Sequence, residues 1–382
     1  YLRLKGYQVT IFEALPVAGG MARVGIPAYR LPHEVLNHEI DEILKLGVEL
    51  KLDHPIRDIN KLFDEGFSAV FLAIGAHEPQ KLRIPGEDDA EGVFHGVPFL
   101  RSVALGEDVH LGDCVVVVGG GNTAIDTART ARRLGSKEVM IVYRRTRSEM
   151  PANAWEIDEA LEEGVGLEIL AQPVEVISDN GHISALRCVR MELGEPDASG
   201  RRRPIPIEGS EFDVPCDALV AAIAQAPEIS FLDEDHGLQI TRWGTFDVND
   251  ATLETNREGI FAGGDAAAGP GALIEGIAAG RRGALSIDRY LRGVPLQTPR
   301  ELMPLPTTEL TDAEIAGMVA QGQVDTSPRV ETPKASAAER VGDFREVELC
   351  LSEQQALAEA KRCLACGLCS ECYQCVLACK AH

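Results

Sequence analysis

The sequence has no apolar run of about eighteen residues or more, the length that a membrane-spanning helix requires, although 45% of its 382 residues are hydrophobic. We therefore predict no membrane span. It also lacks an initiating methionine and a signal-peptide pattern, because it begins at Tyr1 in the middle of a helical pattern. We interpret the chain as a fragment that is cut at its N-terminus. Since it stops at His382 directly after a cysteine cluster, we expect it to be cut there as well.

The chain has little positive charge, since 37 Lys and Arg residues against 60 Asp and Glu residues give a formal net charge of −23. Such a surface repels nucleic acids and anionic lipids, so binding to either is not expected. The excess of acid favours solubility, which is the simpler interpretation. The alternative is that it steers a basic protein partner towards the molecule.

Cysteine is scarce over most of the chain and concentrated at its end. Of the ten cysteines, only Cys114, Cys188 and Cys216 are isolated, and the other seven lie between Cys350 and Cys379. A small secreted disulfide protein would distribute its cysteines through the fold. Bunching at spacings of two and three residues is instead typical of metal or cluster ligation in a reducing cytoplasm, where we expect this protein.

Apolar strands alternate with helical patterns, which predicts an α/β fold with parallel sheets covered on both faces. The predicted strands are 9–13, 68–75, 114–118, 138–143, 218–223 and 260–265, and the predicted helices are 33–47, 123–134 and 272–291. Residues 165–225 alternate around a polar, turn-rich stretch, which predicts an antiparallel excursion. Residues 294–345 are rich in Pro, Thr and Glu, and we predict a tether with one short helix near 311–321.

The clearest motif is Gly119-Gly120-Gly121-Asn122-Thr123-Ala124, which follows an apolar strand and opens a helix. That is the context which the G-x-G-x-x-A dinucleotide fingerprint requires. Gly119 would permit the tight turn, Gly121 would let the backbone approach a pyrophosphate, and Ala124 would keep the helix close to the strand. The N–H groups and the positive dipole end of the helix would face the phosphates.

The residues after the next strand indicate which dinucleotide this motif binds. An acidic residue there would bind a ribose 2′-hydroxyl, but the strand ends in Tyr143-Arg144-Arg145. Guanidinium groups suit a 2′-phosphate, so Arg144 and Arg145 favour NADPH over NADH.

A second dinucleotide site is predicted at the start of the chain. Glu13 ends the strand 9–13, where an acid that binds an adenine ribose is expected. A carboxylate at this position suits a ribose without phosphate, such as that of FAD. The alternative is that Glu13 is an ordinary acid at a strand end.

Taken together, these motifs resemble the flavoproteins related to the glutamate synthase small (beta) subunit. The resemblance covers nearly the whole chain and rests on these segments: Gly19-Gly20-Met21, the run Gly25 to Pro32 that contains Arg30, Phe71 to Gly75, Tyr143 to Arg145, Glu149 to Ala152, Gly259 to Asp265, Gly269-Pro270 and Gly280-Arg281. Two positions depart from the family pattern, with Ala224 where glycine is usual and Gly276 where alanine is usual.

The resemblance implies an FAD domain that is interrupted by an NADPH domain. The expected divisions are 1–105 and 247–293 for the FAD domain, 106–246 for the NAD(P)H domain, 294–345 for a linker and 346–382 for an iron–sulfur segment. The implied FAD-binding residues are Glu13, Gly19, Gly20, Met21, Arg30, Gly75, Gly264, Asp265, Ala272 and Leu273. In this family the acid at Asp265 binds the ribityl chain, and the next helix points its N-terminus at the flavin ring.

The nucleotide-binding part contains no Cys-x-x-Cys pair, which disulfide reductases of related fold carry beside the flavin. Electrons must therefore leave by another route, and the C-terminal cysteines offer one. The ladder consists of Cys363, Cys366, Cys369, Cys372, Cys375 and Cys379. Its second half has the C-x2-C-x2-C-x3-C spacing of bacterial ferredoxins, which favours [4Fe-4S] clusters. The alternative is a structural zinc site, although its cysteine pairs are usually separated by a longer loop.

The sequence thus predicts an NAD(P)H-dependent oxidoreductase in which NADPH reduces FAD and the clusters carry single electrons to a partner subunit. No side chain is assigned a role as catalytic acid or base, because the cofactors perform the chemistry. Two alternatives remain at this stage: a stand-alone NAD(P)H:acceptor reductase, and a non-enzymatic iron–sulfur or zinc interaction subunit.

Overall fold

The computed structural model describes residues 1–197, 200–230, 232, 236–296, 311–323 and 328–362. The strands in these ranges are β1 (Thr10–Phe12), β2 (Glu49–Lys51), β3 (Val70–Leu72), β4 (Glu78–Pro79), β5 (Val93–His95), β6 (Cys114–Val118), β7 (Glu138–Tyr143), β8 (Gly166–Ile169), β9 (Ala171–Asp179), β10 (His182–Pro196), β11 (Arg202–Pro215), β12 (Ala218–Ala221), β13 (Gln225–Ala226) and β14 (Ile260–Ala262). The α-helices are α1 (Met21–Val24), α2 (His33–Lys45), α3 (Ile59–Asp64), α4 (Gly96–Ala104), α5 (Asn122–Arg133), α6 (Ala154–Glu162), α7 (Asp265–Ala268), α8 (Leu273–Leu291), α9 (Asp312–Ala320), α10 (Ala337–Arg340) and α11 (Glu353–Arg362).

The largest parallel sheet among the described residues has five strands, in the order β5-β12-β6-β7-β8. Apolar residues of α4, α5 and α6 pack on one face of this sheet. The antiparallel sheet β11-β10-β9 packs on the other face. The predicted α/β class and the predicted antiparallel excursion are therefore both confirmed. The antiparallel sheet, and not a layer of helices, therefore covers one face of the parallel sheet.

Two shorter parallel pairs, β1-β2 and β14-β3, lie in the segments expected to bind FAD. The core beside β3 and β14 includes Ile59, Leu72, Phe246 and Ile260. Parallel pairing brings the carboxyl ends of β3 and β14 to one edge. In open α/β sheets that edge is where ligands bind.

One segment lies apart from its expected domain. Strand β5 pairs with β12, and α4 packs against α5. Residues 93–104 therefore belong to the sheet of the expected NAD(P)H domain, although the sequence placed the boundary after residue 105. An apolar strand such as Val93–His95 fits either sheet by pattern alone, because pairing partners are not encoded in local periodicity.

Part of the expected linker 294–345 is packed against the rest of the protein. Helix α9 lies where the sequence predicts one short helix. Residues 328–345, in contrast, pack on the body of the protein: Arg340 is 4% exposed and contacts Glu162. The run of Pro, Thr and Glu does not reveal this packing, because it depends on the positions of charges in another helix.

Helix α11 opens with a capping box formed by Ser352 and Gln355. The Ser352 N–H donates to Oε1 of Gln355 at 2.9 Å, and the Gln355 N–H donates to Oγ of Ser352 at 3.3 Å. This is the reciprocal capping box that satisfies N–H groups at a helix start. Among the residues described, no helix is both long enough and apolar enough to cross a membrane.

Candidate functional site: two dinucleotide crevices

The loop after β6 contains three glycines with different packing requirements. Gly119 has φ +151°, and a Cβ there would lie 2.2 Å from the Ala222 carbonyl oxygen. At Gly120 a Cβ would lie 2.5 Å from the ring of Tyr143. Packing within the protein therefore explains why glycine is needed at these two positions.

Gly121 is different, because a Cβ there would meet nothing closer than Cγ of Pro151 at 3.9 Å. Its backbone is in the extended region, with φ −92°. Neither strain nor crowding by the protein accounts for this glycine. The space in front of it adjoins the start of α5, where the N–H groups of Asn122 and Thr123 form no hydrogen bond with the described residues. Such a position suits a phosphate that approaches the helix N-terminus closely.

The segment 149–153 folds against this loop. The Ala152 N–H donates to the Gly120 carbonyl at 3.1 Å, and the Asn153 N–H donates to Oδ1 of Asn122 at 3.1 Å. The side chain of Asn122 is thus a support for the loop. Ala124 is fully buried behind it, as close packing of helix and strand requires.

The two arginines after β7 have different surroundings. Arg144 is exposed and forms no ion pair with any residue that the structure describes. Arg145 is only 4% exposed: its Nη2 lies 2.6 Å from Oδ2 of Asp197, and its Nε donates to the Arg202 carbonyl at 2.7 Å. The two arginines that were expected to bind the 2′-phosphate together therefore have different roles. Arg145 joins the β10–β11 hairpin to the parallel sheet, whereas Arg144 lies at the surface.

The same hairpin also contributes an arginine that the sequence did not single out. Arg202 Nε lies 2.8 Å from Oε1 of Glu149. A hydrogen bond from the Thr146 hydroxyl, together with Arg202, lowers the pKa of Glu149 to about 2. Glu149 is therefore a carboxylate at neutral pH and closes the turn after β7.

A second crevice lies at the carboxyl ends of β3 and β14. Gly75 has φ +68° and Gly264 has φ +66°, so both chains turn there through conformations that favour glycine. The Gly263 N–H donates to the Leu72 carbonyl at 3.1 Å, which joins the two turns. The expected FAD-binding residues Gly75, Gly264 and Asp265 thus lie within three residues of this hydrogen bond along the chain.

Helix α1 begins beside the same crevice. A Cβ at Gly75 would lie 3.8 Å from Cγ of Met21, so the two residues are neighbours. Gly20 has φ +52° with nothing within 4 Å of its Cβ position, whereas a Cβ at Gly19 would contact Arg23 and Leu36 at 3.0 Å. Gly19 is thus required for packing, and Gly20 borders open space.

Asp265 starts α7 at this edge. Its Oδ1 accepts a hydrogen bond from the Gly271 N–H at 3.1 Å, and burial raises the pKa of its carboxyl group. Helix α8 comes next, with Ala272 as N-cap and Leu273, 57% exposed, as first residue. Glu275, which the sequence did not single out, accepts a hydrogen bond from the Ala272 N–H at 2.6 Å. Its position three residues after the N-cap was the signal that could have revealed it.

Two further residues that were expected to bind FAD, Glu13 and Arg30, form hydrogen bonds or ion pairs within the protein. Glu13 comes directly after β1, and its Oε1 accepts a hydrogen bond from the Leu15 N–H at 2.9 Å. Arg30 forms two ion pairs: its Nη1 lies 2.7 Å from Oδ2 of Asp126 in α5, and it also pairs with Glu156 in α6. Both guanidinium partners of Arg30 are in the other dinucleotide-binding part, so its observed role is to join the two parts.

The cysteine ladder from Cys363 to Cys379 lies outside the described residues. Within the described part of the chain, no group of three or more His, Cys, Asp or Glu side chains is arranged to hold a metal ion. Burial raises the pKa of Cys188 and of Cys216 to about 12, and both are free thiols. Neither therefore provides a thiolate for disulfide exchange at neutral pH.

The two crevices and the parallel sheet define a protein class that binds dinucleotides in Rossmann-like units. Residues 2–285 match the family described as pyridine nucleotide-disulphide oxidoreductase. The chain is similar in fold to the Mycobacterium tuberculosis protein FprA in complex with NADPH, with a TM-score of 0.64 at 18% identity over 89% of this chain and 90% of that one.

Three relatives are more similar in sequence. The chain is 45% identical to the NADP(+)-dependent formate dehydrogenase subunit beta of Moorella thermoacetica, over 95% of this chain and 51% of that protein. It is 42% identical to the NADPH-Fe(3+) oxidoreductase subunit beta of Geobacter sulfurreducens, over 96% and 59%. It is 34% identical to a putative glutamate synthase [NADPH] small chain of Cereibacter sphaeroides, over 76% and 73%. The chain thus spans between half and three-fifths of the length of the first two relatives.

The chain belongs to the pyridine nucleotide-disulphide oxidoreductase family, in the group that includes the glutamate synthase small chain. The resemblance inferred from its motifs is confirmed, and so is its assignment as an oxidoreductase. The non-enzymatic alternative is therefore set aside.

Proposed function

We propose that this chain is the electron-input unit of a larger NADPH-dependent enzyme, in which FAD accepts a hydride and [4Fe-4S] clusters deliver single electrons to a partner subunit. Two relatives are named as beta subunits of NADP(H)-linked enzymes, which supports an electron-accepting partner. The cysteine spacing supports clusters and a cytoplasmic location.

The observation that carries this proposal is the open space at Gly121. Of the three glycines in the loop, Gly119 and Gly120 are required by contacts inside the protein, and Gly121 is not. A residue that is small without a packing reason, next to a helix N-terminus with N–H groups available, fits a pyrophosphate. Exposed Arg144 is then the residue that would bind the 2′-phosphate of NADPH, since Arg145 is occupied by Asp197.

The second crevice fits FAD by the same test. Cβ positions at Gly20 and Gly276 have nothing within 4 Å, and Gly276 lies beside Gly264, whose own Cβ position is 3.7 Å from Cα of Gly276. Asp265, held by the Gly271 N–H, has a second oxygen available to bind a hydroxyl group. We assign Gly75, Met21, Gly264, Ala272 and Leu273 to the same FAD site, and Glu13 remains the proposed partner of the adenine ribose.

The chemistry that the bound cofactors supply is hydride transfer from NADPH to the flavin, followed by one-electron transfer to iron–sulfur clusters. The residues of this chain bind and orient. The Gly119–Ala124 loop holds the pyrophosphate, Arg144 selects the phosphorylated ribose, and Asp265 fixes the ribityl chain. The ladder Cys363, Cys366, Cys369, Cys372, Cys375 and Cys379 supplies the thiolate ligands for the clusters.

Two assays on the purified protein test this function. The first measures NADPH-driven reduction of an artificial one-electron dye, with NADH as the comparison. The second determines iron, acid-labile sulfide, zinc and flavin per chain. Rapid dye reduction with iron, sulfide and FAD present supports the proposal. Zinc without sulfide would overturn the cluster assignment, and absence of NADPH oxidation with FAD bound would overturn the electron path. Isolation without a partner would point to a stand-alone reductase.

A further inference from the structure

A folded strap, which we define as residues 328–349, lies beyond the flavin-binding segments in the chain. Residues 333–335 and 347–349 of the strap run antiparallel. The Ala335 N–H donates to the Val347 carbonyl at 3.0 Å, and the Leu349 N–H donates to the Pro333 carbonyl at 2.8 Å. Helix α10 lies between them. Val347 is 3% exposed, so the strap is packed and is not a solvated connection.

Two cations of the strap bind the acidic face of α6 and the residue after it. Arg340 Nη2 lies 2.6 Å from Oε2 of Glu162, and its Nη1 lies 3.7 Å from Oε1 of Glu163. Lys334 Nζ lies 2.5 Å from Oε1 of Glu159. The side chain of Arg340 is 4% exposed, so its charge depends on these carboxylates for compensation.

The strap also contacts the flavin-binding segment directly. The Val347 N–H donates to the Tyr29 carbonyl at 3.0 Å, and the rings of Tyr29 and Phe344 lie 6.4 Å apart. Tyr29 is fully buried, with the guanidinium carbon of Arg133 at 3.9 Å from its ring centre. The strap therefore touches both dinucleotide-binding parts at the place where they meet.

The strap supplies part of the positive charge at this junction. The ion-paired groups are the carboxylates of Asp126, Glu156, Glu159, Glu162 and Glu163 and the cations of Arg30, Arg129, Arg133, Lys334 and Arg340. Two of these five cations come from the strap. Without it, the carboxylates of the junction outnumber its cations, so removal of the strap exposes a repulsive cluster.

Near its first residue the strap is hydrogen-bonded to helix α11. The Val330 N–H donates to Oε1 of Glu359 at 2.6 Å. Helix α11 ends at Arg362, and the first cysteine of the ladder, Cys363, is the next residue in the sequence. A continuous series of contacts thus runs from α6 and Tyr29 through the strap to the start of the cysteine segment.

We propose that the strap is a positioning element for electron transfer, in which Arg340 fixes the cysteine-bearing segment to the junction of the FAD and NADPH parts. This inference rests on the proposed function for its electron path and on the contacts above for its geometry. Arg340 is a positioning residue, because it contacts other side chains and neither cofactor. Its loss would leave both nucleotide crevices intact and displace the cysteine-bearing segment after α11.

The test compares wild-type holoprotein with Arg340→Ala, Arg340→Lys and a matched control, Arg345→Ala. Arg345 is in the same strap, its side chain is 66% exposed, and its ion pair is with nearby Asp343. Stopped-flow absorbance under anaerobic conditions measures flavin reduction by NADPH and then reduction of the iron–sulfur absorbance. Hydrogen–deuterium exchange of residues 328–362 measures attachment of the strap independently of any electron transfer.

We expect Arg340→Ala to slow cluster reduction about tenfold or more, because small displacements of reacting groups have large effects on rate, while flavin reduction changes less than about twofold. Exchange in 328–362 should rise about tenfold, since fewer contacts hold it. Arg340→Lys should recover part of both losses, and Arg345→Ala should match wild type. Lys334→Ala should show smaller changes in the same direction. It replaces Arg340→Ala as the test variant if Arg340→Ala does not fold.

Equal slowing of flavin and cluster reduction, or unchanged exchange in Arg340→Ala and Lys334→Ala, would overturn the positioning role. A wild-type protein that has no iron–sulfur absorbance, or whose flavin NADPH does not reduce, would overturn the proposed function instead. In that case the exchange measurement still decides whether Arg340 holds α11.

Discussion

Arg133 and Glu163 form an ion pair from which water is excluded: Nη1 of the arginine lies 2.6 Å from Oε2 of the glutamate, and both side chains are 0% exposed. Arg129, also 0% exposed, binds the other oxygen of Glu163 at 2.7 Å. Burial disfavours the charged form of Glu163, but hydrogen bonds from both arginines hold its pKa below the usual value. Glu163 thus compensates buried Arg133, and it shares Arg129 with Glu159, whose Oε2 lies 2.9 Å from Nη1 of Arg129.

Replacement of Glu163 should therefore be costly. We expect Glu163→Gln to lower the free energy of unfolding by about 3–5 kcal/mol, because it leaves buried Arg133 without its carboxylate partner. Chemical denaturation followed by fluorescence measures this. The control is Asp158→Asn in α6, which breaks an exposed pair with Arg147 and should cost less than about 1 kcal/mol. Equal, small effects of both substitutions would show that Arg129 and Arg133 are compensated elsewhere.

Asp126 should make stability depend on pH. Burial raises its pKa from an ordinary value of 3.8 to about 7, although Arg30 opposes the shift. Between these values the folded protein holds a proton that the unfolded chain releases. The stabilisation is therefore fully present below pH 3.8 and is lost as the pH rises through 7.

The variant Asp126→Asn isolates this contribution. Relative to wild type, its free energy of unfolding should be less sensitive to pH between 5 and 7, by up to about 1.4 kcal/mol per pH unit. Denaturation midpoints at several pH values measure the difference. Since His33 and His77 have lowered pKa values and titrate with the opposite sign, only the difference between the two proteins is informative. Parallel pH profiles would contradict the prediction.

The glycines of the loop should separate folding from binding. A Cβ at Gly119 would overlap the Ala222 carbonyl, so Gly119→Ala should destabilise the fold by at least about 2 kcal/mol. Gly121→Ala meets no protein atom closer than 3.9 Å and should leave the melting temperature nearly unchanged. It should nevertheless weaken NADPH binding about tenfold or more, because the methyl group would occupy the pyrophosphate space. Retained NADPH affinity in Gly121→Ala would place the nucleotide elsewhere.

The two arginines after β7 should also differ. Arg144→Ala should weaken NADPH binding by about 1.5–3 kcal/mol, the contribution of a charge-assisted hydrogen bond, and leave NADH binding unchanged. Arg145→Ala should instead lower stability, because it leaves the ion pair with Asp197 and the bond to Arg202 unmade. Titration calorimetry with both nucleotides distinguishes these results. Loss of NADPH preference in Arg145→Ala alone would reverse the assignment.

Local pattern was sufficient to predict β6, α5, β7 and the glycine loop, because continuous apolar strands and helical periodicity are strong signals. It was not sufficient for Arg30 and Arg145, whose partners Asp126 and Asp197 are about fifty or more residues away in the sequence. Charged side chains select partners through tertiary geometry that local periodicity does not encode. The strap was missed for the same reason, since the packing of Arg340 depends on its ion pair with Glu162 in α6.

The most direct measurement of the central claim is an anaerobic absorbance spectrum of the purified protein before and after NADPH is added. The proposed electron path predicts flavin bands together with a broad iron–sulfur shoulder, both bleached by NADPH. Flavin bleaching without iron–sulfur absorbance, with zinc found by metal analysis, would contradict the cluster assignment. A spectrum without flavin would contradict the proposed electron path from its first step.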